Sequence, residues 1–398
     1  MSCHRDDRRG LAAWCKASLA LCALLCSPLT AAADETSGTW TGDVELRGNY
    51  YLERSTRIMM PAARVNVEAP NGIRARASYV MDVISSASIA QTGGEDDGVF
   101  TELRHGIGQM QVAKKFDTGS AELDLGLHGT YSTEPDYKSW TYGLFGSVAL
   151  FEKNTTISLG LTRFDDTVES NLDPNFEETL HGMTLAVGVS QLLSPVLKLD
   201  VNYQLGHMAG YLANVYRRAL VGARSQPGSD DLMGGLPVPE KMPDSRWRHN
   251  VEGMLSWYIP ASSTAIQLYL RAYTDDWDIN ALTPEPRIYQ QIGSSLSLRA
   301  RYRFYTQTRA SFAPGDGQTV YGTDKLPPYD GPLTSDPKMF RFHSHQIGLR
   351  LAYVFSFLED SALSFMRAFV LDVSLDRGFS TSSFGNYWVG TLGGRIPF

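Results

Sequence analysis

Cysteine is almost missing from this chain: its four cysteines, Cys3, Cys15, Cys22 and Cys26, all fall near the start. They sit in a segment with a basic opening (MSCHRDDRRG), a short apolar run from Ala17 to Ser27 and a small-residue stretch, Thr30 to Asp34. That order is the pattern of a secretory signal peptide, with cleavage expected after Ala33. Arg8 and Arg9 read as ordinary charge of its basic region. Leu21 precedes Cys22 and Leu25 precedes Cys26, whereas a lipoprotein cut needs a small residue there. The expected domains are a signal peptide over 1–33 and one mature domain over 34–398. A mature chain without cysteine excludes disulfides, a thiol nucleophile and Cys-ligated metal sites.

Three other things are scarce. No apolar run is long enough to cross a bilayer as a helix. Helical periodicity fades after the apolar run, and no Pro/Ser-rich linker or domain-sized repeat marks a boundary. Basic charge is also outweighed. Without Arg5, Arg8, Arg9, Lys16, Asp6 and Asp7, the chain keeps 32 basic against 41 acidic residues, a net −9. That balance excludes nucleic acid as the expected partner.

What the chain has in abundance is alternation of period two, the signature of strands with unlike faces. Trp40, Gly42, Val44, Leu46, Gly48, Tyr50 and Leu52 alternate with Thr41, Asp43, Glu45, Arg47 and Asn49. Leu123, Leu125 and Leu127 alternate with Glu122, Asp124 and His128, and Ile266, Leu268 and Leu270 with Gln267, Tyr269 and Arg271. Tight links are expected at Pro70–Gly72, Asp117–Ser120, Glu152–Asn154, Leu193–Pro195, Pro260–Ser263, Gly293–Ser295 and Phe357–Ser361. Between them lie links expected to be longer and polar: 84–100, 165–179, 209–245, 275–285 and 310–338. Shorter outer links are expected near 54–56, 133–137 and 378–383. Short and long connections taking turns place every tight turn at one end of an antiparallel barrel. The strand from Arg287 to Ile292 is poorly patterned.

Aromatic spacing sharpens this reading. Trp40 and Tyr50 are ten residues apart on the apolar face, as are Trp247 and Trp257, and Trp388 and Phe398. Ten residues of tilted strand climb roughly 25 Å, the height between the aromatic girdles of an outer-membrane barrel. The expected fold class is therefore all-β: a transmembrane, antiparallel, up-and-down β-barrel of about sixteen strands in the cell outer membrane of a Gram-negative bacterium. The last strand, FGNYWVGTLGGRIPF, resembles the terminal signal of barrels inserted by the outer-membrane assembly machinery, with Phe398 at its end. Outer-membrane lipid and that machinery are the expected partners.

Several segments resemble a bacterial outer-membrane family catalogued as domain of unknown function 3570. They are YVMDVISSASI (Tyr79–Ile89), STEPDYKS (Ser132–Ser139), GYLANVYRR (Gly210–Arg218), PDSRWRHN (Pro243–Asn250), LRAYTDDWDINALTPE (Leu270–Glu285) and RARYRFYTQ (Arg299–Gln307). The resemblance implies an outer-membrane barrel and brings no catalytic residues with it.

Function is expected on the polar face. Arg246, Arg248, Arg271, Arg299, Arg301 and Arg303 share it with Asp43, Glu45, Glu122, Asp124, Asp372 and Asp376. In a closed barrel the two sets face each other and set up a field across the lumen. A porin-like channel for small solutes or ions follows, selected by the Arg299–Arg301–Arg303 row. The bland alternative is a lumen plugged by paired charges and by the long segments 209–245 and 310–338. Asp275, Asp276 and Asp278, with Glu95, Asp96 and Asp97, offer hard oxygens for calcium without EF-hand spacing. Solvated loop acids are the simpler reading. His343 and His345 share a face that continues into Ile347, Leu349 and Leu351, which favours interfacial packing over zinc. No GxSxG and no local Ser/His signature appears, so no enzyme is expected, a membrane-embedded hydrolase being the minor alternative. A barrel acting as scaffold or sheath for a periplasmic secretion or redox partner is the other.

Overall fold

The computed structural model describes residues 39–54, 56–87, 99–224, 232–315, 320–323, 331–358 and 363–398. The expected signal peptide and the acids Glu95, Asp96 and Asp97 lie outside the described residues. Strands form where alternation was read. They are β1 (Thr41–Leu52), β2 (Thr56–Glu68), β3 (Ile73–Ala87), β4 (Val99–Asp117), β5 (Glu122–Glu134), β6 (Tyr137–Leu150) and β7 (Thr155–Glu169). Next come β8 (Glu177–Ser194), β9 (Leu197–Gly210), β10 (Arg218–Arg224), β11 (Leu232–Pro239), β12 (Ser245–Ile259) and β13 (Thr264–Asp275). The last are β14 (Asn280–Ile292), β15 (Leu296–Gln307), β16 (Val320–Thr323), β17 (Phe342–Val354), β18 (Val370–Ser380) and β19 (Tyr387–Pro397).

Sixteen of these strands close into one antiparallel barrel, each beside its sequence neighbour, while β10, β11 and β16 form a separate small sheet. Closure comes from β1 pairing with β19, from Asp43 opposite Pro397 to Leu52 opposite Trp388. Closure leaves no open sheet edge, the condition for strands in lipid, where an unpaired backbone group has no water to turn to. Tight inner turns close on residues that tolerate positive φ: Gly72 (φ 79°) and Gly119 (φ 80°).

Three links differ from expectation. The strands β13 and β14 run on to Asp275 and back from Asn280, so the polar stretch 275–285 is mostly strand. Likewise β7 and β8 reach Glu169 and start at Glu177. Polar composition marked these ends as loop, yet strands that project beyond a membrane are polar on both faces. The link expected at Phe357–Ser361 is not tight. It spans 355–369, includes the 3-10 turns Ser356–Leu358 and Ser364–Met366, and packs Phe355 against Phe369 with ring centroids 5.3 Å apart.

One face of each strand is apolar and solvent-accessible. Trp247, Trp257, Trp388, Tyr50 and Phe398 are all exposed large hydrophobics, as the ten-residue spacing of two aromatic bands requires. Between the bands Leu268, Leu298, Leu351 and Val201 are exposed, and Leu123 is half-buried on the same face. A soluble protein does not leave this much contiguous apolar surface uncovered. Single cysteines at Leu123, Val201, Leu268, Leu298 and Leu351 are therefore expected to resist a membrane-impermeant maleimide in intact membranes. Rapid labelling of most of them would show the facing to be inverted.

Candidate functional site: a charged lumenal wall

Residues two apart on a strand share a face, and the register decides which charges meet across strands. Arg287 lies directly opposite Arg301, and Arg299 directly opposite Arg350. Like charges at such positions repel unless carboxylates intervene. The carboxylate that intervenes is Glu285, fully buried on the same lumenal face. It accepts from Arg287 Nε at 2.5 Å and from Arg303 Nε, and Arg301 Nη1 stands 3.8 Å away. Arg301 Nε also donates to Asp376 at 2.8 Å. Asp372 takes Arg47 Nη2 and Arg350 Nη2, each at 3.1 Å.

Not every guanidinium is matched. Arg299 Nε is buried with no hydrogen-bond partner, and neither Arg299 nor Arg248 makes an ion pair among the described residues. Arg246 donates to Asp275 with Nε at 3.0 Å and Nη2 at 2.5 Å, and lies 4.2 Å over the Trp277 ring. Arg271 Nε bonds Asn250 Oδ1 at 2.5 Å and lies 3.7 Å from Glu252.

Most of the acids expected to face these arginines across the lumen have cations of their own, while Asp43 is held by a neutral amide. Asp43 accepts from Asn66 at 2.8 Å, and Glu45 pairs with Arg47 at 2.6 Å and Arg64 at 3.2 Å. Asp124 holds Arg74 at 2.5 Å, and Glu122 pairs with Lys115 at 3.2 Å and Lys153 at 2.8 Å. That hydrogen bond to Glu122 raises the pKa of Lys153 in the exposed inner turn. Much of the lumenal charge is thus offset between neighbouring strands, and Arg287, Arg299, Arg301, Arg303 and Arg350 gather on β14, β15 and β17. The acids that do this for the arginine half, Glu285, Asp275 and Glu252, were missed as lumenal residues. Glu285 is two residues from Arg287, a signal available to parity; placing it in a loop hid it.

The outer end of the wall carries a small folded cap built from the described residues of segments 211–244 and 308–341. Its strands β10, β11 and β16 enclose Ala219, Val221, Tyr321 and Leu333, and Lys241 bridges Leu333 backbone to backbone. A second cluster, Trp277, Ile279, Ala310, Ala313 and Met339, roots the cap on the barrel beside Tyr273. Gln307 of β15 donates to the carbonyls of Lys338 and Phe340, both at 2.8 Å. Buried Glu240 accepts from Thr334 Oγ1, Ser335 N and Asn214 N, and so ties both segments together. Tyr216 reaches away from its own strands to donate to Asp136 in the β5–β6 link. Burial, then the acids Glu240 and Glu178, raise the pKa of Tyr211 in this cap.

The YTDDWDI acids serve this junction. The Asp275 carboxylate accepts from Arg246, Tyr273 Oη, Trp277 N and Ile279 N, while Asp276 accepts from Trp247 N. Among the described residues no three or more His, Cys, Asp or Glu side chains converge as a metal site. His343 and His345 stay on the outward face, where His345 packs 5.0 Å from the Phe304 ring and bonds Tyr302 Oη at 2.7 Å.

The family model described as Protein of unknown function (DUF3570) matches residues 11–356. The chain belongs to that family. As a DUF3570 member it is similar in architecture to solved porins, at low identity. OccK7 (OpdD) of Pseudomonas aeruginosa is 11% identical, with 91% of this chain and 99% of that chain covered at a TM-score of 0.45. The BenF-like porin of Pseudomonas fluorescens Pf-5 is 11% identical, covering 90% and 98% at a TM-score of 0.43. OprD of Pseudomonas aeruginosa is 9% identical, covering 92% and 98% at 0.42. No curated protein matches the DUF3570 chain in sequence.

Proposed function

We propose that this barrel is a porin-like channel of the outer membrane that passes small solutes or ions, with a preference for anions. The observation that carries the reading is the pair of lumenal guanidiniums left without a carboxylate, Arg248 and Arg299. A barrel of this strand number encloses more space than its side chains fill, so a lumen remains. Unmatched arginines on the inward face attract anions and raise their local concentration. Passage of this kind needs no nucleophile and no cofactor. The outward apolar face meets lipid, and the strand ending at Phe398 is the element the assembly machinery would read.

Arg248→Gln/Arg299→Gln separates selectivity from stability, because neither residue holds a carboxylate in place. Glutamine at Arg301 or Arg303 would strip Glu285 of partners and confuse the two. In planar bilayers the native barrel is expected to conduct, with a reversal potential in a salt gradient that marks anion preference. The double variant should shift that potential toward cations at unchanged thermal stability. A folded barrel without conductance, or an unmoved reversal potential, counts against the proposal.

A further inference from the structure

The barrel wall has a break in its hydrogen bonding. Between β14 and β15 the ladder runs Ala281–Gln307 and Leu282–Thr306, stops, and resumes in the same register at Arg287–Arg301. On the other side of β14 the ladder to β13 is unbroken from Asn280 to Gln290. Thr308 N donates to Asn280 O, so the even-numbered residues of β14 turn their backbone groups toward β15. Pro284 and Pro286 are the even-numbered residues of the gap. Having no N–H, they cannot serve the carbonyls of Phe304 and Tyr302, their register partners. Proline is ordinarily kept to edges and bulges of sheets, and here two stand mid-strand. A shorter gap at Pro61, between Met59–Val83 and Ala62–Val80, has apolar Ala62 and Val80 on its lumenal side.

Chemistry differs sharply on the two sides of the β14–β15 gap. On the lumenal side stand Glu285, Arg287, Arg301 and Arg303, with unpartnered Arg299 one step further in. On the outward side are exposed Leu268, Leu270, Ile288 and Tyr302. Guanidiniums inside, an apolar surface outside and a weakened ladder between them match a molecule with an anionic head and a long apolar tail. We propose that the β14–β15 seam is a lateral port that takes the carboxylate or phosphate head of such an amphiphile from the surrounding lipid. The head enters between the strands and displaces Glu285 from Arg303 and Arg287, while the tail stays against Leu268 and Tyr302. This goes beyond passage along the lumen and does not depend on it.

Stapling tests the port. Leu282→Cys/Thr306→Cys and Ile288→Cys/Ala300→Cys are register partners at either end of the gap, close enough for disulfides. The described residues contain no cysteine to interfere. The purified barrel would be placed in phosphatidylcholine nanodiscs with stearate carrying a nitroxide near its head. The expected result is a motionally restricted signal that disappears when both staples are oxidised and returns on reduction. Nitroxide-labelled phosphatidic acid distinguishes a phosphate head from a carboxylate, and a stearyl trimethylammonium label should show no restricted signal. Pro284→Ala/Pro286→Ala restores two donors to the ladder and should abolish the signal without any disulfide. A native barrel that restricts none of the anionic probes, or a signal that survives both closures or appears equally with the cation, overturns the port. Conductance measured on the stapled barrel reports separately on the lumen and is expected to persist.

Discussion

Glu285→Gln is expected to destabilise the barrel by about 3 kcal/mol, at the low end of what breaking a buried ion pair costs. Glutamine keeps the shape and one acceptor but removes the charge around which Arg287, Arg301 and Arg303 are gathered. Asp376 still offsets Arg301, whereas Arg287 and Arg303 lose the carboxylate they both bond. Because Arg303 keeps access to the lumen, water takes up part of the loss, which is why the low end applies. The seam makes the consequence larger than for another wall position, since the ladder beside Glu285 cannot compensate. Urea unfolding of the barrel in detergent micelles, followed by its retarded mobility when unfolded, measures the shift. Glu122→Gln, whose partner Lys153 is exposed, serves as the control and should leave the midpoint where it is. Equal midpoints for native protein and Glu285→Gln would show that the three arginines need no carboxylate.

Trp277→Ala should free the cap while leaving the barrel intact. Trp277 is 4% exposed, stacks edge-on to Phe312, donates Nε1–H to Ser245 O at 3.0 Å and supports Arg246 beneath its ring. Removing a buried tryptophan costs about 3–5 kcal/mol. Here that loss falls on the junction between segments 211–244 and 308–341 and the outer ends of β12, β13 and β15. A local opening made easier by even 3 kcal/mol is populated about a hundredfold more often. Limited proteolysis of the folded barrel is the measurement: cleavage within the two segments should accelerate by that order, while heat modifiability of the barrel stays native. Unchanged cleavage would mean that the Glu240–Thr334 tie and the Tyr216–Asp136 contact hold the cap without Trp277.

The facing of residues was legible because strand geometry leaves no freedom: side chains alternate, so parity alone assigns Arg299, Arg301 and Arg303 to one side and Leu298, Ala300 and Tyr302 to the other. Aromatic pairs ten residues apart then set the height of the apolar band. Strand number followed, since links that alternate between the two ends of an antiparallel barrel join one more strand than there are links. The strand β14 was only half read because Pro284 and Pro286 interrupt the pattern that marks a strand, and its partner β13 holds it in place through a ladder no local rule contains. Glu285 went with it.

By itself, then, the order of residues determined a closed β-barrel and which residues share its apolar and its charged face, because each of these depends on a period of two. Tertiary structure alone decided which charges neutralise which, because pairing depends on register and on long side chains reaching over intervening strands, as Arg47 does to Asp372 across β19. It also decided that two polar segments far apart in sequence fold into one capped sheet, since β10 pairs with β16 across a hundred residues. Arg299 remained without a carboxylate for the same reason: its register partners are Tyr289 on one side and Arg350 on the other, and neither is an acid.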